Sequence, residues 1–193
     1  MQLFSRTPVA DGFHMPAEYE PHRGCVMIWP VRPGSWPHGG TAAQYTFAAV
    51  ARAIAESEPV WMLAGPEHLA DAQAAFAQDA AIRVLPIATD DAWARDVGPT
   101  CVVDGKGTVR GVDWQFNAWG GEYDGLYAHW EQDNAAARAL CAALELDCYD
   151  AQHFVLEGGS IHTDGEGTVI ATEACLLSRG RNPQLSREQI EQQ

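Results

Sequence analysis

The sequence predicts an α/β fold, and three observations carry that reading. Between residues 25 and 87 short apolar runs alternate with amphipathic helical stretches, the pattern that layers helices on a sheet. The turn Asp104-Gly105-Lys106-Gly107-Thr108-Val109 recurs as Asp164-Gly165-Glu166-Gly167-Thr168-Val169, 60 residues further on, which marks an internal repeat. An acidic residue precedes each copy, Asp96 eight residues before the first turn and Glu157 seven before the second, and glycine follows each acid. The repeat therefore extends beyond the turn, and the two carboxylates are expected to face one site.

In order, Pro16 to His22 reads as a loop leading into Cys25-Val26-Met27-Ile28-Trp29, a buried strand stopped by Pro30. Three Pro, three Gly and Trp36 give residues 30 to 40 loop chemistry. Ala42 to Ala55 predicts a helix with Phe47, Val50, Ala51 and Ile54 on its apolar face. Pro59 to Ala64 is the next strand, a helix opened by Pro66 and Glu67 runs to about Gln78, and Ile82 to Ile87 is a third strand. Thr100 to Val103 and Thr108 to Trp114 form a hairpin across the first Asp-Gly turn. Gln115 to Gly125 is a loop rich in Gly and aromatic residues, with Trp119 equally suited to core or pocket wall. Gln132 to Leu144 is a helix ending near Asp147, and Phe154-Val155-Leu156 is a short strand before the second hairpin. Ser186 to Ile190 begins a further helix. A chain of 193 residues, 47% of them hydrophobic, is expected to form one domain over residues 1–193.

Charge narrows the partners. Lys and Arg number 12 against 26 Asp and Glu, a net charge of -14 that argues against nucleic acid and anionic membrane surfaces and favours a small cation. No run approaches the ~20 apolar residues of a membrane helix, and the start, MQLFSRTPVADGF, lacks the apolar core of a secretory signal, so the expected location is cytoplasmic. Cys25, Cys101, Cys141, Cys148 and Cys175 have no CxxC spacing and are expected to be reduced core thiols. No cofactor motif is present, and no metal is expected.

The chemistry is concentrated in Thr89 to Thr100, where Asp90, Asp91, Trp93, Arg95 and Asp96 lie between two strands. A purely structural role is open too, with Asp90 or Asp91 capping a turn, Arg95 pairing with Asp91 at i,i+4, and Trp93 in the core. Carboxylates beside an indole suit a guanidinium, which is planar, permanently charged and rich in N–H donors. Attack on its carbon needs a thiolate or a metal-bound hydroxide, with a His to move protons and a carboxylate to orient it. For the metal alternative, Asp90, Asp91 or Asp96 would join His162, but no ligand spacing supports it.

Four stretches resemble the agmatine deiminases, which are grouped with bacterial-type peptidyl-arginine deiminases among guanidino-modifying enzymes. They are Met15 to His22, Asp90 to Thr100, Gly111 to Gly121 and Glu157 to His162. The resemblance implies a pseudo-five-fold α/β propeller of ββαβ units, incomplete in this chain, with a central active site. It implies that Asp96 binds the guanidinium, that Trp93 walls it, and that Glu157 partners a general acid/base His. It also implies a small cationic substrate, agmatine, a role in putrescine biosynthesis, and a possible homo-oligomer. The family's Gly-His-Val-Asp and Gly-Gly-Asn-x-His-Cys motifs do not occur in residues 1–193, and Thr163 stands where a Cys would follow His162. The expectation is thus an N-terminal portion, inactive alone.

Overall fold

In the computed structural model, which describes all 193 residues, the chain runs β1 (Leu3–Phe4), β2 (Cys25–Ile28), α1 (Thr41–Ala55), β3 (Val60–Leu63), α2 (Leu69–Ala75), β4 (Ile82–Leu85), α3 (Ala94–Val97) and β5 (Thr100–Val103). It continues through β6 (Val109–Gln115), α4 (Gly121–Asp124), α5 (Glu131–Ala143), β7 (Asp147–Val155), β8 (Ile161–Thr163), β9 (Val169–Ala171), α6 (Glu173–Leu177) and α7 (Arg187–Ile190). This is the mixed α/β content the sequence predicts. Two compact units share it, Pro21–Ala94 and Met1–Glu20 with Arg95–Gln193.

In Pro21–Ala94, β2, β3 and β4 form a parallel sheet in that order, with Cys25 opposite Val60 and Val60 opposite Ile82. Parallel neighbours need crossovers, and α1 and α2 supply them. The core gathers Trp29, Ala48, Ala51, Val60, Met62 and Phe76. The helix face is centred on Ala48 and Ala51, so Val50, about 100° around the helix from Ala51, is exposed rather than in the predicted stripe. Helix α2 stops at Ala75, short of the expected Gln78, because Phe76 leaves helical geometry to pack edge-on against Trp29 at 5.8 Å.

In the other unit a four-stranded sheet has the order β1-β7-β6-β5. The predicted hairpin is its antiparallel β5–β6 edge, and α5 carries the chain across to β7, which runs parallel to β6. The expected three-residue strand at Phe154 is in fact the end of a nine-residue strand. Its polar positions disguised it: Asp150 meets Arg138, and Gln152 donates to Asp113 and to the Trp114 carbonyl. The register also shifts between Trp114 and Gln115, leaving the extra residues of β7 without counterparts on β6.

The duplicated turns have the same geometry. Asp104 Oδ1 accepts from the N–H groups of Lys106 and Thr108 at 2.8 and 3.0 Å, and Asp164 Oδ1 accepts from Glu166 and Thr168 at the same distances. The following glycines match too, with φ of 68° and 101° at Gly105 and Gly107 against 78° and 105° at Gly165 and Gly167.

The thiols divide by position. Cys141 and Cys148 are buried, but Cys25 and Cys175 are half-buried and Cys101 is exposed, so only two of the five belong to the core. Gly111 pairs with both Cys101 and Cys148, and a Cβ there would lie 2.3 Å from Cys141 Sγ. Gly111→Ala is expected to destabilise the fold by about 1–3 kcal/mol through overpacking, seen as a lower urea midpoint. Combining it with Cys141→Ala should recover part of that loss; an unchanged midpoint in the single variant would refute the contact.

Candidate active site

Asp96 sits in the single turn α3, two residues beyond which the chain enters the β5–β6 hairpin region, and Glu157 precedes a 3-10 turn, Gly158–Ser160, that leads directly into β8. The repeat thus delivers both acids to the mouths of matching hairpins. The two turns are pressed together. A Cβ on Gly158 would lie 2.3 Å from the Arg95 carbonyl oxygen, and one on Gly159 would lie 2.2 Å from Asp96 Oδ1. Only glycine permits this approach. In return the Gly159 N–H donates to Asp96 Oδ1 at 3.1 Å, and Arg95 Nε donates to the Gly158 carbonyl at 3.0 Å. Arg95, whose spacing allowed a pair with Asp91, instead forms its ion pair with Glu18.

Burial raises the Asp96 carboxyl above its ordinary range, and the neighbouring negative charge of Glu157 raises it further. The Gly159 N–H, the Arg95 guanidinium and the Trp119 side chain act in the opposite direction without restoring it. A carboxylate raised in this way binds its proton more tightly in the folded chain than in the unfolded one. Its stabilising contribution is complete below the ordinary carboxylate pKa and is lost as pH rises through the folded value. Once ionised, Asp96 therefore weighs against the fold, and a bound cation would offset that cost. Trp119, placed equally in core or pocket by sequence, is half-buried, holds Asp96 by a hydrogen bond, and stacks edge-on against Phe116 and Tyr127. Ala118 and Trp119 both adopt left-handed backbone, with φ of 54° and 64°, a strained pair that aims the indole.

Glu157 is completely buried. Ser160 Oγ donates to its Oε2 at 2.6 Å, and the buried Arg181 Nε stands 2.9 Å from Oε1 as an ion pair without hydrogen-bond alignment. The segment carrying Arg181 is tied down on either side. Asn117 Nδ2 donates to the Gly180 carbonyl at 2.8 Å, while Asn182 both accepts from and donates to the Val155 backbone at 2.9 Å. Nothing in the sequence pattern marked residues 180–182; Arg181 was a detectable candidate only as one of few cations in an acidic chain.

Trp93 belongs to Pro21–Ala94 and is 39% exposed, not core. Its indole N–H donates to Asp91 Oδ2 at 3.0 Å, and its ring lies 6.4 Å from that of Trp36. Asp91 is a buried hub that also accepts from Ser35 Oγ, from Trp36 Nε1 at 2.9 Å and from the Ala92 N–H at 2.8 Å, with Arg32 Nε 3.9 Å away. Ser35 and Trp36, read from sequence only as loop residues, thus hold the carboxylate that orients Trp93. With its oxygens committed in this way, Asp91 does not suit the metal alternative, and His162 stands exposed on β8.

Three residues named by the sequence are accordingly placed as follows: Asp96 and Glu157 adjoin one another, and Trp93 is positioned separately by Asp91. The chain is 54% identical over 191 residues to the agmatine deiminase of Stutzerimonas stutzeri (strain A1501), a match covering 99% of this chain and 52% of that protein. The agmatine deiminase of Ectopseudomonas mendocina (strain ymp) matches at the same identity and coverage. Among solved structures, the agmatine deiminase of Enterococcus faecalis superposes with a TM-score of 0.93 at 46% identity, over 99% of this chain and 52% of that one. The chain spans about half the length of the curated relatives it matches. The Porphyromonas-type peptidyl-arginine deiminase family matches residues 14–193. On a match of that extent, the chain belongs to the Porphyromonas-type peptidyl-arginine deiminase family.

Proposed function

We propose that residues 1–193 supply one part of the active site of an agmatine deiminase, which hydrolyses agmatine with one water to N-carbamoylputrescine and ammonia. The observation that carries the reading is the pairing of Asp96 with Glu157 across Gly158 and Gly159, where a half-buried carboxylate is raised by burial and by a second acid. Such a carboxylate favours a cationic ligand. The relatives named agmatine deiminase, at 46 to 54% identity, favour agmatine as that cation.

In this reading Asp96 holds the guanidinium by charge-assisted hydrogen bonds and Trp93 packs against the substrate. Glu157 orients the His that carries protons. A Cys thiolate attacks the guanidinium carbon, ammonia leaves after protonation, and water cleaves the covalent amidino intermediate to release the product and restore the thiol. By resemblance, that Cys, the His and a second Asp come from motifs that do not occur in residues 1–193. The same reading includes a five-fold propeller to which both units contribute as one domain, a place in putrescine formation, and a cytoplasmic location. No helix is long and apolar enough to cross a membrane.

The family's description favours a second substrate, peptidyl-arginine. Steady-state kinetics of the whole enzyme with agmatine, free arginine and an arginyl peptide separate the two. Agmatine is expected to have the highest kcat/KM, and preference for the peptide would overturn the choice. Residues 1–193 alone are expected to show no turnover; agmatine hydrolysis abolished by mutating one of their own five cysteines would refute that expectation.

A further inference from the structure

Away from Asp91 and Trp93, the sheet of Pro21–Ala94 brings three different ligand types together. His22 Nδ1 lies 2.6 Å from Glu58 Oε2, and Cys25 Sγ donates to Glu58 Oε1 at 3.3 Å. One ligand atom from each residue lies within 4.8 Å of the other two. We propose that His22, Cys25 and Glu58 form a binding site for a thiophilic divalent cation of the zinc class.

The donor set selects the ion. A thiolate, an imidazole and a carboxylate suit zinc, cobalt or cadmium, whereas magnesium and calcium prefer all-oxygen sites. Tetrahedral zinc with such ligands has ligand-to-ligand distances of roughly 3.3–3.8 Å, and the three ligand atoms, within 4.8 Å of one another, bracket that range. On binding, the Cys25 thiol gives its proton to solvent and the Glu58 carboxylate exchanges its two present partners for the metal. His22 is an exposed residue, which leaves the fourth position open to water.

The backbone holds these ligands in place. Cys25 begins β2 and Glu58 lies two residues before β3, and the Cys25 N–H donates to the Pro59 carbonyl at 2.9 Å. Gly24 makes the approach possible: a Cβ there would lie 2.5 Å from the Pro59 carbonyl oxygen and 2.7 Å from the Trp61 ring, and its φ is 156°. The chain between His22 and Cys25 is therefore pinned against the start of β3. The site lies at the N-terminal ends of β2 and β3, whereas the chain reaches Asp91 from the C-terminal end of β4. It is consequently a clamp on strand pairing and takes no part in the proposed chemistry.

The test is a spectroscopic titration of the purified, reduced 193-residue chain with cobalt(II), followed by displacement with zinc(II). One equivalent should give tetrahedral cobalt bands together with a thiolate-to-cobalt charge-transfer band, both removed by zinc. Cys25→Ser should lose the charge-transfer band, and His22→Ala and Glu58→Gln should each bind at least about tenfold more weakly. Circular dichroism of each variant checks that the fold is retained, which the exposure of His22 makes the least demanding case. Absence of the charge-transfer band in the native chain, or its full retention in Cys25→Ser, would overturn the site.

Discussion

In the whole enzyme, Asp96→Asn is expected to lower kcat/KM for agmatine by roughly 100- to 1,000-fold, equivalent to about 2.7–4 kcal/mol of transition-state stabilisation. The substitution preserves shape and leaves an oxygen to accept the Gly159 N–H, so the turn contact at 3.1 Å survives. On the proposed reading, what disappears is the negative charge that holds the guanidinium. Stability should move the other way. Because burial and Glu157 raise the Asp96 carboxyl, removing its charge relieves the folded chain where that carboxyl would be ionised, so the variant is expected to unfold at a higher urea concentration at neutral pH. That gain should shrink as pH falls below the carboxylate range, where Asp96 itself is neutral. Paired kinetics and urea denaturation at neutral and acid pH read both effects. Near-normal kcat/KM would remove Asp96 from the substrate site, and a loss of stability at neutral pH would contradict its electrostatics.

Arg181→Met is expected to cost the fold about 3–5 kcal/mol, since it leaves the completely buried Glu157 carboxylate without its cation. Ser160 Oγ, at 2.6 Å, satisfies one oxygen but brings no charge. Replacing both members of the pair, as Arg181→Met with Glu157→Leu, should restore much of the stability, because no buried charge then remains. Amide exchange should localise the defect in the single variant to residues 180–182 and the end of β7, the segments joined by Asn182 and Val155. A change below about 0.5 kcal/mol, the range of ordinary surface substitutions, would show that Arg181 does not compensate Glu157.

Much of this arrangement follows from local sequence. Apolar runs bounded by Pro and Gly identify β2, β3 and β4, helical spacing identifies α1 and α5, and a repeated Asp-Gly-x-Gly-Thr turn identifies two hairpins whose side-chain and backbone geometry agree. These features are legible because turn chemistry and hydrophobic period act over a few residues. For the same reason Asp96 and Glu157 could be selected together: the repeat carries each acid to the entrance of a hairpin. Only the tertiary structure decided what each acid experiences. The long strand β7 was hidden by polar residues whose partners, Arg138 and Asp113, come from other elements. Asp91 was indistinguishable from a site carboxylate until Ser35 and Trp36 were seen to claim it, and Arg181, one of few cations in an acidic chain, could not be matched to Glu157 until Asn182 was seen to anchor its segment to β7. The charge state and availability of a carboxylate depend on burial and on donors distant in sequence, which neither spacing nor composition records.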